Sequence, residues 1–266
     1  MDRVGQRPDS DVNGVARLFA LLFALAVAFA GQVGAQPLGQ PHVKASLISD
    51  AQSVAPNSTF TVALRLDMES GWHTYWKNPG DTGLPTTIVW TLPEGATAGA
   101  LQWPPPQAQQ VGPFLNYGYE REVLLLTEFK TKNIASPSLD IKARADWLMC
   151  RDVCIPDGAD LTLTLPVAAT SQPSADAAAI AATQKLLPKP LVGWTVVAQG
   201  NGASATITLR LTPTHPETSH LGALYFFADD AKKVEPSFAQ PLQRDGDALV
   251  LTLPVSHQLE GGLPRL

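Results

Sequence analysis

From Ser138 to Val167 the sequence reads as two alternating strands that meet at a pair of cysteines. In "SLDIKARADWLM" the residues Leu139, Ile141, Ala143, Ala145 and Trp147 share one face, while Asp140, Lys142, Arg144 and Asp146 share the other. In "DLTLTLPV" Leu161, Leu163 and Leu165 fall together. Period-two alternation with one apolar face marks a half-buried strand, not a helix. Cys150 and Cys154 are the only cysteines in the 266 residues, and they sit between these strands with three residues separating them. The pattern recurs upstream: "TFTVALRLDM" aligns Phe60, Val62, Leu64, Leu66 and Met68, "TTIVWTLPEG" is a second candidate ending at Pro93, and "EVLLLTEFK" a third. With 23 prolines and only 16% charged residues, short strands joined by Pro/Gly turns fit better than long helices, and the spacing predicts an all-β, antiparallel sandwich.

The N-terminus is read separately. Arg3, Arg7 and Arg17 precede a 13-residue uncharged apolar run from Leu18 to Ala30, followed by the small-residue exit "GQVGA". A basic start, a short apolar centre and a small-residue exit describe a secretory signal peptide, and the run is short of the roughly 20 residues needed to span a bilayer. Cleavage is expected after Ala35, with Val33 and Ala35 at the recognition positions, so residues 1–35 are read as a signal peptide and the protein as periplasmic. The formal charge of -5 leaves no basic footprint for nucleic acid. Export also places the cysteines where disulfides persist, and two cysteines in such a protein read most simply as one pair.

Residues 36–168 are expected to form the first domain. At about residue 169 the composition turns rich in Ala, Ser, Thr and Pro, and residues 169–192 are read as a linker. Its middle, Ala175 to Leu187, is expected to form a short helix capped by Ser174 and stopped by Pro188. Strand patterns return in "SATITLRL", "ALYFFA" and "ALVLTLPV", and residues 193–266 are read as a second, smaller β-sandwich-like domain, either compact or incomplete.

Three chemistries are open to the cysteine pair. A bond between them closes a loop of only about five residues, for which chain-entropy accounting gives roughly 2 kcal/mol against about 4.7 kcal/mol for a 100-residue loop. That is a poor return for a protein's sole staple. Electron exchange is the second reading, because a disulfide in a short exposed loop is easier to reduce. Arg151 favours a thiolate there and Asp152 disfavours it, so neither cysteine stands out as the attacking one. The third is Cu(I) held by Cys150 and Cys154, since thiolates suit that ion. C-x-x-x-C followed by proline resembles the copper-binding motif of Sco-type proteins, but that motif precedes a helix and is completed by a distant histidine. Here a strand pattern follows, and His215 and His220 lie beyond the linker.

The neighbourhood of the pair carries a more specific resemblance. "WHTYWKNPGDTGLPTTIVW" (Trp72 to Trp90), "WPPP" (Trp103 to Pro106), "YGYEREVLL" (Tyr117 to Leu125) and "CRDVCIPDGADLTL" (Cys150 to Leu163) occur in this order. Together they resemble the periplasmic N-terminal domain of the DsbD/ScsB group of thiol:disulfide interchange proteins, nearer the ScsB branch, over about residues 42 to 168. "FFADD" and "DALVLTLPV" resemble, less specifically, the second periplasmic β region of that branch. The resemblance implies an immunoglobulin-like sandwich and a protein-disulfide reductase component. Its exchanging pair would be Cys150 and Cys154, and it would need no bound cofactor. It implies thioredoxin-fold partners in the periplasm (ScsC- or DsbC-like) and re-reduction by a membrane electron-donor domain that this sequence does not contain. The chain is therefore expected to be either a piece of a longer membrane protein or a subunit fed by a separate one. It further implies an aromatic cap over the cysteines, for which Phe114, Tyr117 and Tyr119 are the candidates. The cysteine spacing is shorter than in the DsbD branch, so loop geometry does not carry over.

Other residues read more plainly. Trp72, His73, Tyr75 and Trp76 precede the turn residues "NPGDTGLP" and are read as core packing beside a rigid turn, with a wall beside the cysteines or a partner surface as the alternative, and His73 as a hydrogen-bonded structural histidine rather than a proton carrier near a thiol. Asp146 and Asp152 are candidate proton-transfer neighbours of the cysteines, and Asp157 also flanks them; solvated carboxylates are the simpler expectation. Trp103 with Pro104 to Pro106 is read as an extended edge segment.

Overall fold

The computed structural model describes residues 41–200, 205–215, 223–231 and 233–256. The signal peptide read at 1–35, His220 and the C-terminal "HQLEGGLPRL" lie outside these residues. Eleven strands come first: β1 (Val43–Ser49), β2 (Ala51–Ser53), β3 (Thr59–Met68), β4 (His73–Gly80), β5 (Thr87–Thr91), β6 (Ala96–Gln102), β7 (Gln107–Val111), β8 (Phe114–Glu120), β9 (Glu122–Thr131), β10 (Ser138–Cys150) and β11 (Cys154–Pro166). All but β2 form two antiparallel sheets, β1-β3-β9-β6 and β11-β10-β4-β8-β7, with β5 paired to the middle of β10. The segment Trp103 to Pro106 crosses from β6, an edge of one sheet, to β7, an edge of the other. Prolines suit that crossing because they donate nothing to a ladder.

The alternation read in the sequence is the alternation of the core. Leu139, Ile141, Ala143, Ala145 and Trp147 are all buried in one apolar cluster with Phe60, Val62, Leu64, Leu66 and Met68 from the facing sheet. Phe129 stacks on Phe60 and meets Trp90 edge-on, with ring centroids 5.6 and 4.9 Å apart. β3 departs from the half-buried expectation. Its polar-face residues Thr61 and Ala63 are only 7% and 0% exposed, because a helix covers the outer face of that sheet.

That helix, α1 (Ala177–Leu186), follows a two-residue strand β12 (Gln172–Pro173) paired with β2. It sets Ile180 into a cluster with Ala63, Leu124 and Leu126, and burying one such side chain stabilises by about 1.5–3 kcal/mol. Gln184 Nε2 donates to Thr61 Oγ1 at 3.0 Å. The N-cap is Asp176, not Ser174. Ser174 is occupied otherwise: its hydroxyl donates to the Ser49 carbonyl and accepts from the Asp176 amide. Leu187 leaves the helix with ψ at 144°, as the residue before Pro188 must, since the proline ring disfavours helical geometry there.

Beyond the first sandwich a separate antiparallel sheet, the second region's and hereafter the second sheet, is built from β13 (Trp194–Gln199), β14 (Thr206–Pro213), β15 (Leu242–Asp245) and β16 (Ala248–Pro254), in the order β13-β14-β16-β15. Ile207, Leu209 and Leu211 stand opposite Leu253, Leu251 and Leu249 and give it one apolar face. "ALYFFA" is not a strand. The segment, residues 223–228, joins no ladder; the Phe226 amide and carbonyl bond instead to the Gln240 side chain. Its alternation has another cause. Phe226 and Ala228 pack into the second sheet's core, while Tyr225 and Phe227 turn to Trp76 and Tyr117 of the first sandwich.

Candidate functional site

Cys150 ends β10 and Cys154 opens β11, and the two are register partners across the hairpin. Residues directly opposite on antiparallel strands approach closely enough for a disulfide. The Cα atoms here are 4.1 Å apart, and the sulfurs are bonded. The two sulfurs differ in surroundings: Cys150 is 2% exposed, while Cys154 is exposed.

The strand period puts a tyrosine beside them. Met149 is the last core-facing residue of β10, so Cys150 falls on the opposite face. β4 alternates in the same way. Trp72 and Trp76 enter the core, while His73, the register partner of Cys150, and Tyr75 face the disulfide. The Tyr75 hydroxyl donates to Cys150 Sγ at 2.9 Å and lies 3.8 Å from Cys154 Sγ. Burial raises the Tyr75 pKa above the usual phenol value, which keeps the hydroxyl protonated and able to donate. Its ring is seated by Gly83, whose φ is +103° and whose position would bring a Cβ within 2.3 Å of Tyr75 Cε1. Only glycine tolerates both the backbone angle and the contact.

His73 meets the Tyr75 ring edge-on at 5.3 Å. Its Nε2 is buried without a hydrogen-bond partner, contrary to the hydrogen-bonded histidine expected. Desolvation lowers its pKa, against a smaller opposing pull from Glu120. A histidine with a depressed folded pKa binds fewer protons folded than unfolded, so stability is retained above the unfolded value and lost as pH falls through the window beneath it. The His73→Gln protein is accordingly expected to lose less stability than wild type between about pH 7 and pH 5 in urea unfolding. An unchanged pH slope would assign the acid sensitivity elsewhere.

Arg151 lies over the Trp72 ring, 5.2 Å from its centroid, and pairs with Asp152 at 3.0 Å. Trp72 also stacks on His42. An apolar groove of about 460 Å³ runs beside the hairpin, lined by Leu84, Pro85, Trp147, Leu148 and Pro156 among others, with Val153 61% exposed at the tip.

Residues 44–166 match the family model described as thiol:disulfide interchange protein DsbD, N-terminal. This segment belongs to the DsbD N-terminal domain family. It encloses the four ordered motifs and both cysteines, so the first sandwich is a thiol:disulfide interchange domain with a disulfide-bonded pair. The fold of the wider chain is that of the N-terminal periplasmic domain of ScsB from Proteus mirabilis, with a TM-score of 0.60, 20% identity and coverage of 86% of each chain. Curated proteins give no sequence match.

Within the DsbD-type domain, the other residues singled out in the sequence fall as follows. Tyr117 and Tyr119 are core residues, 1% and 6% exposed. Their hydroxyls bond to the Tyr225 hydroxyl and the Pro104 carbonyl, not to the sulfurs, and burial raises both pKa values. Phe114 is 47% exposed at the tip of the β7–β8 hairpin, where it is the register partner of Val111. Asp146 is paired with Arg144 at 2.6 Å, Asp152 with Arg151, and Asp157 accepts from the Gly158 amide; each has a partner other than a sulfur. Among the described residues no group of three or more His, Cys, Asp or Glu is placed to hold a metal. The aromatic cluster 72–76, read as core with a wall beside the cysteines as the alternative, is divided between the two by strand period. Its tryptophans are core, while Tyr75 touches the disulfide.

Proposed function

We propose that the chain is a periplasmic protein-disulfide reductase component that passes reducing equivalents through Cys150 and Cys154 to thioredoxin-fold partners of the ScsC or DsbC kind. The observation that carries this reading is the asymmetric disulfide: one sulfur exposed, the other buried under a hydroxyl that donates to it. A passive staple has no use for that arrangement. An exchanging pair does, because one sulfur must meet the partner and the other must be stabilised as a thiolate.

In the dithiol state the Cys154 thiolate attacks one sulfur of the partner's disulfide. A mixed disulfide forms, the partner's S–S bond breaks, and its second sulfur leaves as a thiolate that takes a proton from water. The Cys150 thiolate, held by the Tyr75 hydroxyl, then attacks Cys154 Sγ. The intramolecular bond closes and the partner's first sulfur departs. Two electrons and two protons reach the partner, and no cofactor takes part. A membrane electron donor supplies the reverse step on this chain, as the kinship with DsbD supports. The family resemblance, with its periplasmic ScsB counterpart, also supports the export reading.

The test is stoichiometric. The fully reduced chain is mixed with an oxidised thioredoxin-fold isomerase, and thiols are counted on each protein after acid quenching. Partner thiols are expected to appear as the Cys150–Cys154 pair is lost, mole for mole. A chain that stays reduced beside an oxidised partner contradicts the reading.

A further inference from the structure

Among the described residues, the second region meets the first sandwich at the end of β4, the turn that follows it and the adjoining β8. Phe227 lies edge-on to Trp76 and to Tyr117, at 6.1 and 5.0 Å between centroids. The Tyr225 and Tyr117 hydroxyls are 3.1 Å apart. Asn78, itself 2% exposed, donates its side-chain amide to the Ala228 carbonyl at 2.8 Å. Lys77 pairs with Asp229 at 2.6 Å, and the Ser237 hydroxyl donates to the Asp81 carboxylate.

Two of these contacts, at Asn78 and Asp81, bear on residues that fix the turn. The Asn78 side-chain oxygen accepts from the Gly80 amide at 2.9 Å, so the side chain held by Ala228 also shapes the turn. Asp81 accepts from the Leu115 amide at 2.7 Å with the carboxylate that Ser237 engages. Thr82 is tied to Asn116 through both its amide and its hydroxyl. Gly80 adopts φ +85°, and a Cβ there would come within 2.4 Å of the Leu115 carbonyl oxygen, so the turn sits directly on β8. The next residue in line is Gly83, which lies against the Tyr75 ring. A run of contacts therefore leads from Ala228 and Ser237, through Asn78, Asp81 and the turn they shape, to Gly83 and the Tyr75 ring whose hydroxyl lies on Cys150.

We propose that the second region is a positioning element of the redox site: Phe227 and Tyr225 hold the end of β4 and β8 through Trp76 and Tyr117, the Ala228 carbonyl and Ser237 brace the turn at Asn78 and Asp81, and strand and turn together seat the Tyr75 hydroxyl on the sulfurs. This rests on the exchange reading above for its chemical consequence, but not for its geometry. The brace touches neither sulfur and acts only through Tyr75.

The test uses the whole chain with Phe227→Ala and, as a milder variant that leaves the core intact, Ser237→Ala. Each is made in the wild-type and Tyr75→Phe backgrounds. Two quantities are read: the rate of disulfide reduction by dithiothreitol, and the thiolate titration of the reduced pair by ultraviolet absorbance. With Tyr75 present, Phe227→Ala is expected to slow reduction by about threefold to tenfold and to raise the Cys150 pKa, with Ser237→Ala acting in the same direction more weakly. In the Tyr75→Phe background both effects are expected to shrink below about twofold, because the group they position is gone. Equal factors in the two backgrounds, or no change with Tyr75 present, overturn the brace. A pair that does not exchange with any dithiol defeats the functional reading instead; the pair is then reduced with a phosphine, and its thiolate titration still decides the brace.

Discussion

With Cys154 replaced by serine, thiol exchange will be abolished. With Cys150 replaced by serine, the chain will instead become a trap that accumulates a stable mixed disulfide. The two substitutions are chemically identical, so the difference follows from position. Cys154 opens β11 at the exposed tip of the hairpin, beside Val153. Cys150 is 2% exposed beneath Tyr75. An incoming disulfide sulfur must align with the attacking thiolate, and access as well as thiolate character sets the rate. Only Cys154 offers access. In the Cys150→Ser chain Cys154 can attack, but nothing within the chain resolves the product. In the Cys154→Ser chain the remaining thiol is covered. The check is non-reducing electrophoresis after mixing each variant with an oxidised thioredoxin-fold partner. Equal trapping by both, or trapping by Cys154→Ser alone, would reverse the assignment of the attacking cysteine.

The second large effect is expected from Tyr75→Phe, which removes one oxygen atom and keeps the ring against Gly83. In the oxidised chain the Tyr75 hydroxyl donates to Cys150 Sγ at 2.9 Å. On reduction that sulfur becomes the leaving thiolate, and the bond becomes charge-assisted. Hydrogen bonds to charged groups are worth about 1.5–3 kcal/mol. If roughly half of that is expressed in the transition state, following the partial charge on the leaving sulfur, reduction slows by about threefold to tenfold. The Cys150 pKa should rise and the reduction potential should become more negative, since the thiolate form loses its donor. Stopped-flow reduction across a pH range checks this. A rate and pH profile matching wild type would show that the contact has no part in exchange.

Much of the first sandwich was legible in the sequence because its strands have one buried face. Leu139 to Trp147 alternates cleanly, and every apolar position of that run lies in the core. β3 was read as half-buried because sequence period shows one strand at a time. It does not show that α1 lays Ile180 on the other face. "ALYFFA" carried a strand-like pattern for a different reason: its alternate residues serve two bodies, and the backbone forms no ladder.

The site divides in the same way. The cysteine pair was visible, since no other cysteine exists and the motifs around it are ordered. Tyr75 stood in view within "WHTYW" yet could not be separated from its neighbours. Its contact with Cys150 depends on the pairing of His73 with Cys150 across β4 and β10, a register between segments 75 residues apart that no local pattern encodes. Tyr117 and Tyr119 were drawn into the cap reading by proximity in sequence, and burial removed them to the core.

The reduction potential of the Cys150–Cys154 pair, measured by equilibrating the whole chain in defined dithiol/disulfide buffers, tests the central claim most directly. An exchanging pair is expected to titrate above about -300 mV and to reach equilibrium quickly. A potential below about -300 mV with slow equilibration is the behaviour of an inert structural disulfide and would contradict the account.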